Sequence, residues 1–102
     1  MALTIDWVAR DILRDAEGAA HQVCFQVTCY DPDSLNHRQQ PHRGIVGGIH
    51  RLTSQPKGLT ETEAIDLVQQ ELSQRERQNI EYSAKMRRER LEYAEARKAA
   101  RS

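Results

Sequence analysis

The stretch from Thr60 to Arg101 constrains this chain more than any other, because it contains neither glycine nor proline. It consists mainly of Glu, Gln, Arg, Lys, Ala and Leu, which are strong helix formers. As one helix it would be roughly 60 Å long at about 1.5 Å per residue, which exceeds the width of a small domain. The sequence therefore predicts a small α+β unit over residues 1–59 and a long C-terminal helix over residues 60–102.

A capping box marks the start of this helix. Thr60 is followed three residues later by Glu63, as in the T-x-x-E pattern whose side chains satisfy backbone amides at a helix N-terminus. Residues 61–72 carry acids and no bases, and most of the bases in the stretch come later. Acids at the start of a helix and bases at its end complement the helix dipole. This gradient favours helix stabilisation over a dedicated polyanion site.

A heptad assignment tests whether the long helix pairs with another. With Ile65 at position a, the a series is mostly apolar and contains Asn79, and a lone Asn at this position fixes register and dimer state in parallel coiled coils. Arg75 and Glu89 interrupt the d series, so a long two-stranded coiled coil of good quality is not expected.

A mixed arrangement fits this pattern better. The first turns are expected to pack on the β unit, and the later turns to face a second copy of the chain or another protein. The alternative is a free, solvated helix, which would leave several large apolar side chains in water. The expected oligomer or partner face comprises Ile65, Val68, Leu72, Asn79, Ile80, Tyr82, Met86, Leu91 and Tyr93.

The N-terminal segment has two interpretations. Over residues 4–17 apolar side chains recur at helical spacing with charged residues between them, which predicts an amphipathic helix capped by Thr4 and ended at Gly18. The alternative is a strand, because Leu3, Ile5 and Trp7 alternate. In that case residues 14–20 would form a hairpin loop.

Residues 21–30 predict a strand more clearly. Val23, Phe25, Val27 and Cys29 alternate with polar or smaller residues, and a turn is expected at Asp31–Ser34. A polar loop follows over residues 34–43. A second β-like run then contains Gly47-Gly48, which suggests a bulge, a bend or the close approach of another backbone. Residues 53–58 form a linker.

The bulk properties describe a small and electrically neutral protein. Fifteen Lys and Arg balance fifteen Asp and Glu, and the apolar content predicts a core that needs a partner surface to complete it. The two cysteines are too few for a disulfide framework. The chain lacks a signal peptide and a membrane-length apolar run, so we expect a cytoplasmic protein without a membrane partner.

Motifs for catalysis, metal or cofactor binding are weak. Cys24 and His21 are close in sequence but lack the motif of a nucleophilic site. Cys29, His37, His42 and His50 do not have the spacing of zinc ligands. The glycines at 44–48 do not match a phosphate-binding loop. No enzyme, metal or cofactor is expected.

Two basic clusters are candidates for anion or nucleic-acid contacts. The first comes from the loop and second β run, and the second from the long helix. Surface arginines without a ligand are the alternative, because the net charge is zero and aromatic residues for base stacking are scarce. The candidate contacts are Arg38, His42, Arg43, Arg51, Arg87, Arg88 and Arg90.

Three short motifs carry a resemblance to a known group of domains. They are Val27-Thr28-Cys29, Ile45-Val46-Gly47-Gly48 and the capping box that leads into Ala64-Ile65. Over residues 23–72 the chain resembles small bacterial and phage domains of strand–loop–strand–helix pattern, whose biochemical role is unassigned. The resemblance implies a small α+β fold and no transferable active site. In that pattern a further strand follows the helix, whereas this chain continues as a charged helix, so a second copy is expected to complete the sheet.

The sequence thus predicts an α+β protein with an N-terminal helix or strand, a small antiparallel β unit and a long C-terminal helix that mediates association. We expect a non-enzymatic interaction or regulatory protein, from a bacterium or a mobile element, that forms a homodimer or larger oligomer and binds a protein partner. The alternative is a nucleic-acid-binding accessory protein that uses the basic residues of the helix and of the loop at 38–51.

Overall fold

The computed structural model describes residues 3–101 and shows an α+β chain in which a three-stranded antiparallel sheet is followed by two helices. The strands are β1 (Thr4–Arg14), β2 (Ala20–Leu35) and β3 (Pro41–Arg51), and they lie in the order β1-β2-β3. The helices are α1 (Glu61–Glu71) and α2 (Gln74–Ala100). The predicted α+β class, antiparallel sheet and long C-terminal helix are confirmed.

The predicted N-terminal helix over residues 4–17 is wrong, because β1 occupies this segment. Trp7 stacks on Phe25 of β2 with the ring centroids 5.5 Å apart, and Ala9 is buried. Both side chains lie at odd positions of the strand, as the alternative interpretation required. Pairing with β2 satisfies the backbone of β1 and covers the Trp7 ring, and this tertiary contribution outweighs the local helical spacing.

The hairpin turn between β1 and β2 is built around Asp15. Its Oδ1 accepts the backbone N–H of Glu17 at 2.9 Å and that of Ala19 at 3.0 Å. Gly18 has a φ of +84°, a left-handed conformation that glycine adopts without strain. Gly18 therefore shapes a turn rather than ending a helix.

The second hairpin turn repeats this construction around Asn36. Its Oδ1 accepts the N–H of Arg38 at 2.8 Å and that of Gln40 at 3.1 Å, while Gln39 has a φ of +62°. The turn predicted at residues 31–34 is wrong, since β2 continues through that segment to Leu35. Asp31 stays buried within the strand, where its Oδ1 accepts the N–H of Asp33 at 2.9 Å.

The predicted alternation of β2 is confirmed. Val23, Phe25, Val27 and Cys29 are buried, whereas Cys24 and its polar neighbours on the opposite face are half-buried. Both cysteines are free thiols. Their positions on opposite faces of one strand prevent a bond between them.

The stretch from residue 60 to residue 101 forms two helices rather than one. Leu72 has an extended backbone with φ −75° and ψ 142°, which ends α1. The Oγ of Ser73 then accepts the N–H of Glu76 at 3.1 Å and begins α2 as its N-cap residue. The predicted capping box at the start of α1 is confirmed, with both of its reciprocal hydrogen bonds present between Thr60 and Glu63.

The described chain divides into two compact units, which we treat separately. The α1 unit comprises residues 7–26 and 47–78, and the α2 unit comprises residues 3–6, 27–46 and 79–101. The buried apolar residues of the α1 unit are Ala9, Ala19, Ala20, Val23, Phe25, Leu52, Leu59, Ala64, Ile65 and Val68. The buried side chains of the α2 unit are Val27, Cys29, Asp31, Ala84 and Arg88.

Candidate functional site

Gly44 lets the backbone of α2 lie directly against β3 in the α2 unit. A Cβ atom at this position would collide with the carbonyl oxygen of Ala84 and with the backbone nitrogen of Arg88. Any side chain larger than hydrogen would therefore push the helix away from the strand. The side of α2 that carries Ala84 and Arg88 is accordingly its buried side.

Arg88 lies on this buried side, where its side chain is engaged by other residues of the fold. Its side chain is 7% exposed and its Nη1 donates a hydrogen bond to Glu92 Oε2. Burial raises the pKa of the Cys29 thiol, an effect that the neighbouring charge of Arg88 only partly offsets. Burial therefore disfavours the thiolate form of Cys29. Although predicted as an anion contact, Arg88 is thus already engaged within the fold.

Glu95 links α2 to the turn between β2 and β3. Its Oε2 lies 3.0 Å from Nε2 of His42, and its Oε1 accepts the backbone N–H of His37 at 2.9 Å. Burial raises the pKa of Glu95, but the two histidines lower it more, so this pKa lies below its ordinary value. His42, which was also predicted to contact anions, has a side chain only 9% exposed and is occupied by this interaction.

The side of α2 opposite Ala84 carries a positions of the heptad pattern and several d positions. Four uncharged side chains at these positions, together with neighbouring charged residues, point away from the buried side of the helix. We call these four residues, Asn79, Tyr82, Met86 and Tyr93, the outer seam. Tyr82 and Tyr93 are 61% and 64% exposed, Asn79 is exposed and Met86 is half-buried. This surface thus combines two large aromatic side chains with the single Asn of the a series.

A second surface of the α2 unit is an open groove between β3 and α2. It is lined by Arg43 and Ile45 from the strand and by Arg87, Arg90 and Leu91 from the helix, with a cavity volume of about 390 Å³. We call it the arginine groove. The groove brings together members of the two basic clusters that are separate in the sequence.

The charges of the arginine groove have no counter-ions within residues 3–101. Arg43, Arg87 and Arg90 form no ion pair there. Nη1 of Arg87 donates to the carbonyl oxygen of Ile45 at 2.8 Å, and the guanidinium of Arg43 lies 4.3 Å from the ring centre of Tyr30. Two of the three arginines are thereby held in position, while their charges remain available to a ligand.

The remaining predicted residues lie elsewhere. Ile65 and Val68 are buried in the α1 unit, where Leu72 is half-buried at the end of α1. Ile80 is half-buried in the α2 unit. Arg38 is exposed in the second hairpin turn, and Arg51 is exposed at the end of β3. None of these residues lines the arginine groove or belongs to the outer seam.

A histidine–carboxylate pair links β3 to α1 in the α1 unit. Nε2 of His50 lies 2.8 Å from Oε1 of Glu71, which also accepts the backbone N–H of Thr53 at 3.0 Å. Burial raises the pKa of Glu71, but these hydrogen bonds lower it more, so the pKa lies below its ordinary value of 4.5. The ionised carboxylate therefore stabilises the folded state.

We expect Glu71 to make stability depend on pH in the acid range. Its contribution is complete above 4.5 and is lost as the pH falls through the lower folded pKa, because the unfolded chain takes up this proton first. Glu71→Gln should therefore destabilise the protein near pH 7 and have a much smaller effect at about pH 3 in urea unfolding. Glu17→Gln, at an exposed position in the first turn, is the control. An equal loss of stability for Glu71→Gln at both pH values would contradict this assignment.

Within residues 3–101 no group of three or more His, Cys, Asp and Glu side chains is arranged to hold a metal ion. The two histidine–carboxylate pairs described above connect elements of the fold. Over the same residues, neither helix is long and apolar enough to cross a membrane.

Two residues that organise the α2 unit cannot be recognised from the sequence. Gly44 is one glycine of the run at 44–48, and Glu95 is one of several acids in α2. No local pattern marks either, because their partners are distant along the chain. Ser73 had a usable signal, since S-x-x-E from Ser73 to Glu76 is a second capping pattern within the stretch assigned to one helix.

Comparison of this chain with protein-family models, with curated proteins and with solved structures finds no match.

Proposed function

We propose that this protein is a non-enzymatic interaction protein that self-associates through α2 and presents this helix to a protein partner. The observation that carries the proposal is the outer seam. Tyr82 and Tyr93 expose large ring surfaces on the same side of α2, about three turns apart, and Met86 lies between them along the helix. Aromatic residues and methionine are the types most enriched in the centre of protein interfaces.

The composition of α2 supports association through this side. The buried side of the helix in the α2 unit is supplied by Ala84 and Arg88, so the larger apolar side chains of the outer seam have no place in that core. An isolated charged helix gains only about 0.2–0.5 kcal/mol from each i,i+4 ion pair. Burial of the tyrosines against a second helix would add apolar area, and Asn79 at an a position would fix the register of a parallel pair.

We expect Tyr82→Glu and Tyr93→Glu each to weaken self-association at least about tenfold, because truncating or charging a buried interface aromatic costs about 2 kcal/mol or more. Light scattering coupled to size exclusion over a range of concentrations measures this change. Ala94→Glu is the matched control, since it adds the same charge at an exposed position of α2 outside the outer seam. A wild-type chain that is monomeric at every concentration, or a control that dissociates equally, would refute the proposal.

The proposal extends to the setting of the protein. Its free thiols support a reducing compartment, and we propose the cytoplasm. The resemblance over residues 23–72 supports a bacterium or a mobile element as the source. In either setting the protein would act as a small regulatory or accessory subunit.

A second candidate function is binding of nucleic acid as an accessory protein. It is favoured by the meeting of Arg43 from β3 with Arg87 and Arg90 from α2. Binding driven by phosphate contacts weakens steeply with salt, whereas burial of the outer seam does not. The salt dependence of any complex that the protein forms therefore separates the two functions.

A further inference from the structure

We infer that the arginine groove binds an acidic segment of a partner protein that inserts an aliphatic side chain between the guanidinium groups. This inference rests on the proposed function as an interaction protein and names the chemistry of the partner. The groove adjoins the outer seam in the α2 unit, because Arg87 and Arg90 also line a pocket with Tyr82 and Met86. Each binding measurement is therefore accompanied by a measurement of oligomeric state.

The charge of the groove selects an anion. Three arginines line one groove, and none forms an ion pair within the described part of the chain. Elsewhere on the same helix, Arg88 pairs with Glu92, so α2 does supply carboxylates where an arginine is neutralised internally. Guanidinium groups bind carboxylates through paired N–H donors, and each charge-assisted contact is stronger than a neutral hydrogen bond.

The aliphatic residues of the groove select a partner with an apolar side chain. Ile45 and Leu91 are 41% and 51% exposed, so both retain surface that a ligand could cover. Arg87 is held to the carbonyl oxygen of Ile45, which brings its charge beside this apolar surface. A ligand that satisfies the groove must therefore carry negative charge and aliphatic surface within a few ångströms of each other.

Recognition in this groove is expected to use side chains rather than strand addition. β3 is an edge strand of the sheet, and such edges commonly pair with an added strand. Here the carbonyl of Ile45 already accepts a hydrogen bond from Arg87, which removes one acceptor from that strand. The groove is open to solvent, so it could receive one aliphatic side chain while the flanking carboxylates stay at its rim.

The lining of the groove favours an acidic peptide over nucleic acid. None of the five residues that line it is aromatic, and the nearby ring of Tyr30 is already covered by Arg43. Single-stranded nucleic acids are held by stacking on aromatic side chains as well as by charge. Exposed aliphatic surface between the arginines contributes nothing to a phosphate backbone but adds affinity for a leucine or isoleucine.

Fluorescence anisotropy with the full chain tests this inference. The probe is a short fluorescein-labelled peptide of alternating glutamate and leucine, compared with the same peptide carrying serine in place of leucine and with a labelled DNA duplex. Arg90→Glu is the informative variant, because Arg90 is exposed and forms no ion pair within residues 3–101. Arg75→Glu makes the same change of charge at an exposed position of α2 outside the groove. Circular dichroism verifies that both variants are folded.

We expect Arg90→Glu to weaken binding of the glutamate–leucine peptide at least about tenfold, the loss that follows from one charged hydrogen bond. Arg75→Glu should leave the affinity unchanged, and the serine peptide should bind several-fold more weakly than the leucine peptide. No binding of the leucine peptide, equal losses for the two variants, or equal affinity for the two peptides would overturn the inference. Tighter binding of the duplex than of the peptide, abolished by Arg90→Glu, would assign the groove to nucleic acid instead.

Light scattering on the same samples separates this inference from the proposed self-association. An oligomer that does not bind the peptide would overturn the inference about the groove alone. A monomer that binds the peptide would overturn self-association and leave the groove assignment intact. Dissociation of the oligomer by the peptide would show that a second copy occupies the groove, which would also overturn the inference.

Discussion

Replacing Gly44 with alanine is expected to lower the free energy of unfolding by about 3 kcal/mol or more, the upper range for inserting a methyl group into a packed site. The added Cβ would collide with the carbonyl oxygen of Ala84 and with the backbone nitrogen of Arg88. Backbone atoms of a helix cannot rotate away as a side chain can, so α2 itself would have to move. Urea unfolding followed by circular dichroism measures the loss.

Gly47→Ala is the matched control for this experiment. A Cβ at Gly47 would have as its nearest neighbour the carbonyl oxygen of Phe25 at 4.0 Å, which is an ordinary contact. Since alanine also has less conformational entropy to lose than glycine, this variant should be neutral or more stable by up to about 1 kcal/mol. Similar losses at Gly44 and Gly47 would show that α2 does not lie against β3 at Gly44.

Removing the ring of Phe25 is expected to destabilise the protein by about 3–5 kcal/mol, the usual cost of replacing a buried Phe with alanine. The ring is buried and stacks on Trp7 with a centroid separation of 5.5 Å. Because Trp7 is the single tryptophan of the chain, its fluorescence reports on this contact directly. Phe25→Ala should shift the emission of the folded protein to longer wavelength as well as lower its stability.

A double-mutant cycle with Gly48 gives the control. A Cβ at Gly48 would lie 2.9 Å from two ring atoms of Phe25, so Gly48→Ala alone should be destabilising. In the Phe25→Ala background the ring is absent and the same change should cost much less. The coupling between the two positions is expected to reach about 1–3 kcal/mol. Additive effects would contradict the packing of the ring over the glycine.

Of the two candidate surfaces, the sequence predicts the outer seam but not the arginine groove. The outer seam follows from the heptad register, because helical periodicity places Asn79, Tyr82, Met86 and Tyr93 on one stripe whatever the helix packs against. The arginine groove does not follow from any local pattern. It depends on the approach of α2 to β3 at Gly44, and that approach joins residues about forty positions apart in the chain.

Packing also decides which arginines of the helix are buried and which are exposed. Arg87, Arg88 and Arg90 are equivalent in sequence as members of one basic cluster. Packing buries Arg88 beside Glu92, and it leaves Arg87 and Arg90 at the groove. The difference arises because one side of α2 faces β3: Arg88 lies on that side and is buried, whereas Arg87 and Arg90 are exposed.

Features that arise from neighbouring residues can be predicted from the amino-acid sequence. The alternation of β2 placed Val23 to Cys29 correctly, and the capping box located the start of α1 at Glu61. Helical structure after residue 60 followed from the absence of glycine and proline and from the propensities of the residues present. Each of these features is stabilised by contacts within a few positions along the chain.

Long-range packing determines the fold where it competes with a local preference. The N-terminal segment has helical spacing, yet it forms β1 because pairing with β2 and the stack of Trp7 on Phe25 stabilise the strand. The break at Leu72–Ser73, by contrast, has a local cause, since the S-x-x-E pattern of Ser73 supplies the capping hydrogen bond that begins α2. The physical reason for β1 is that local preferences amount to tenths of a kcal/mol per residue, whereas burial of a large side chain contributes several times more.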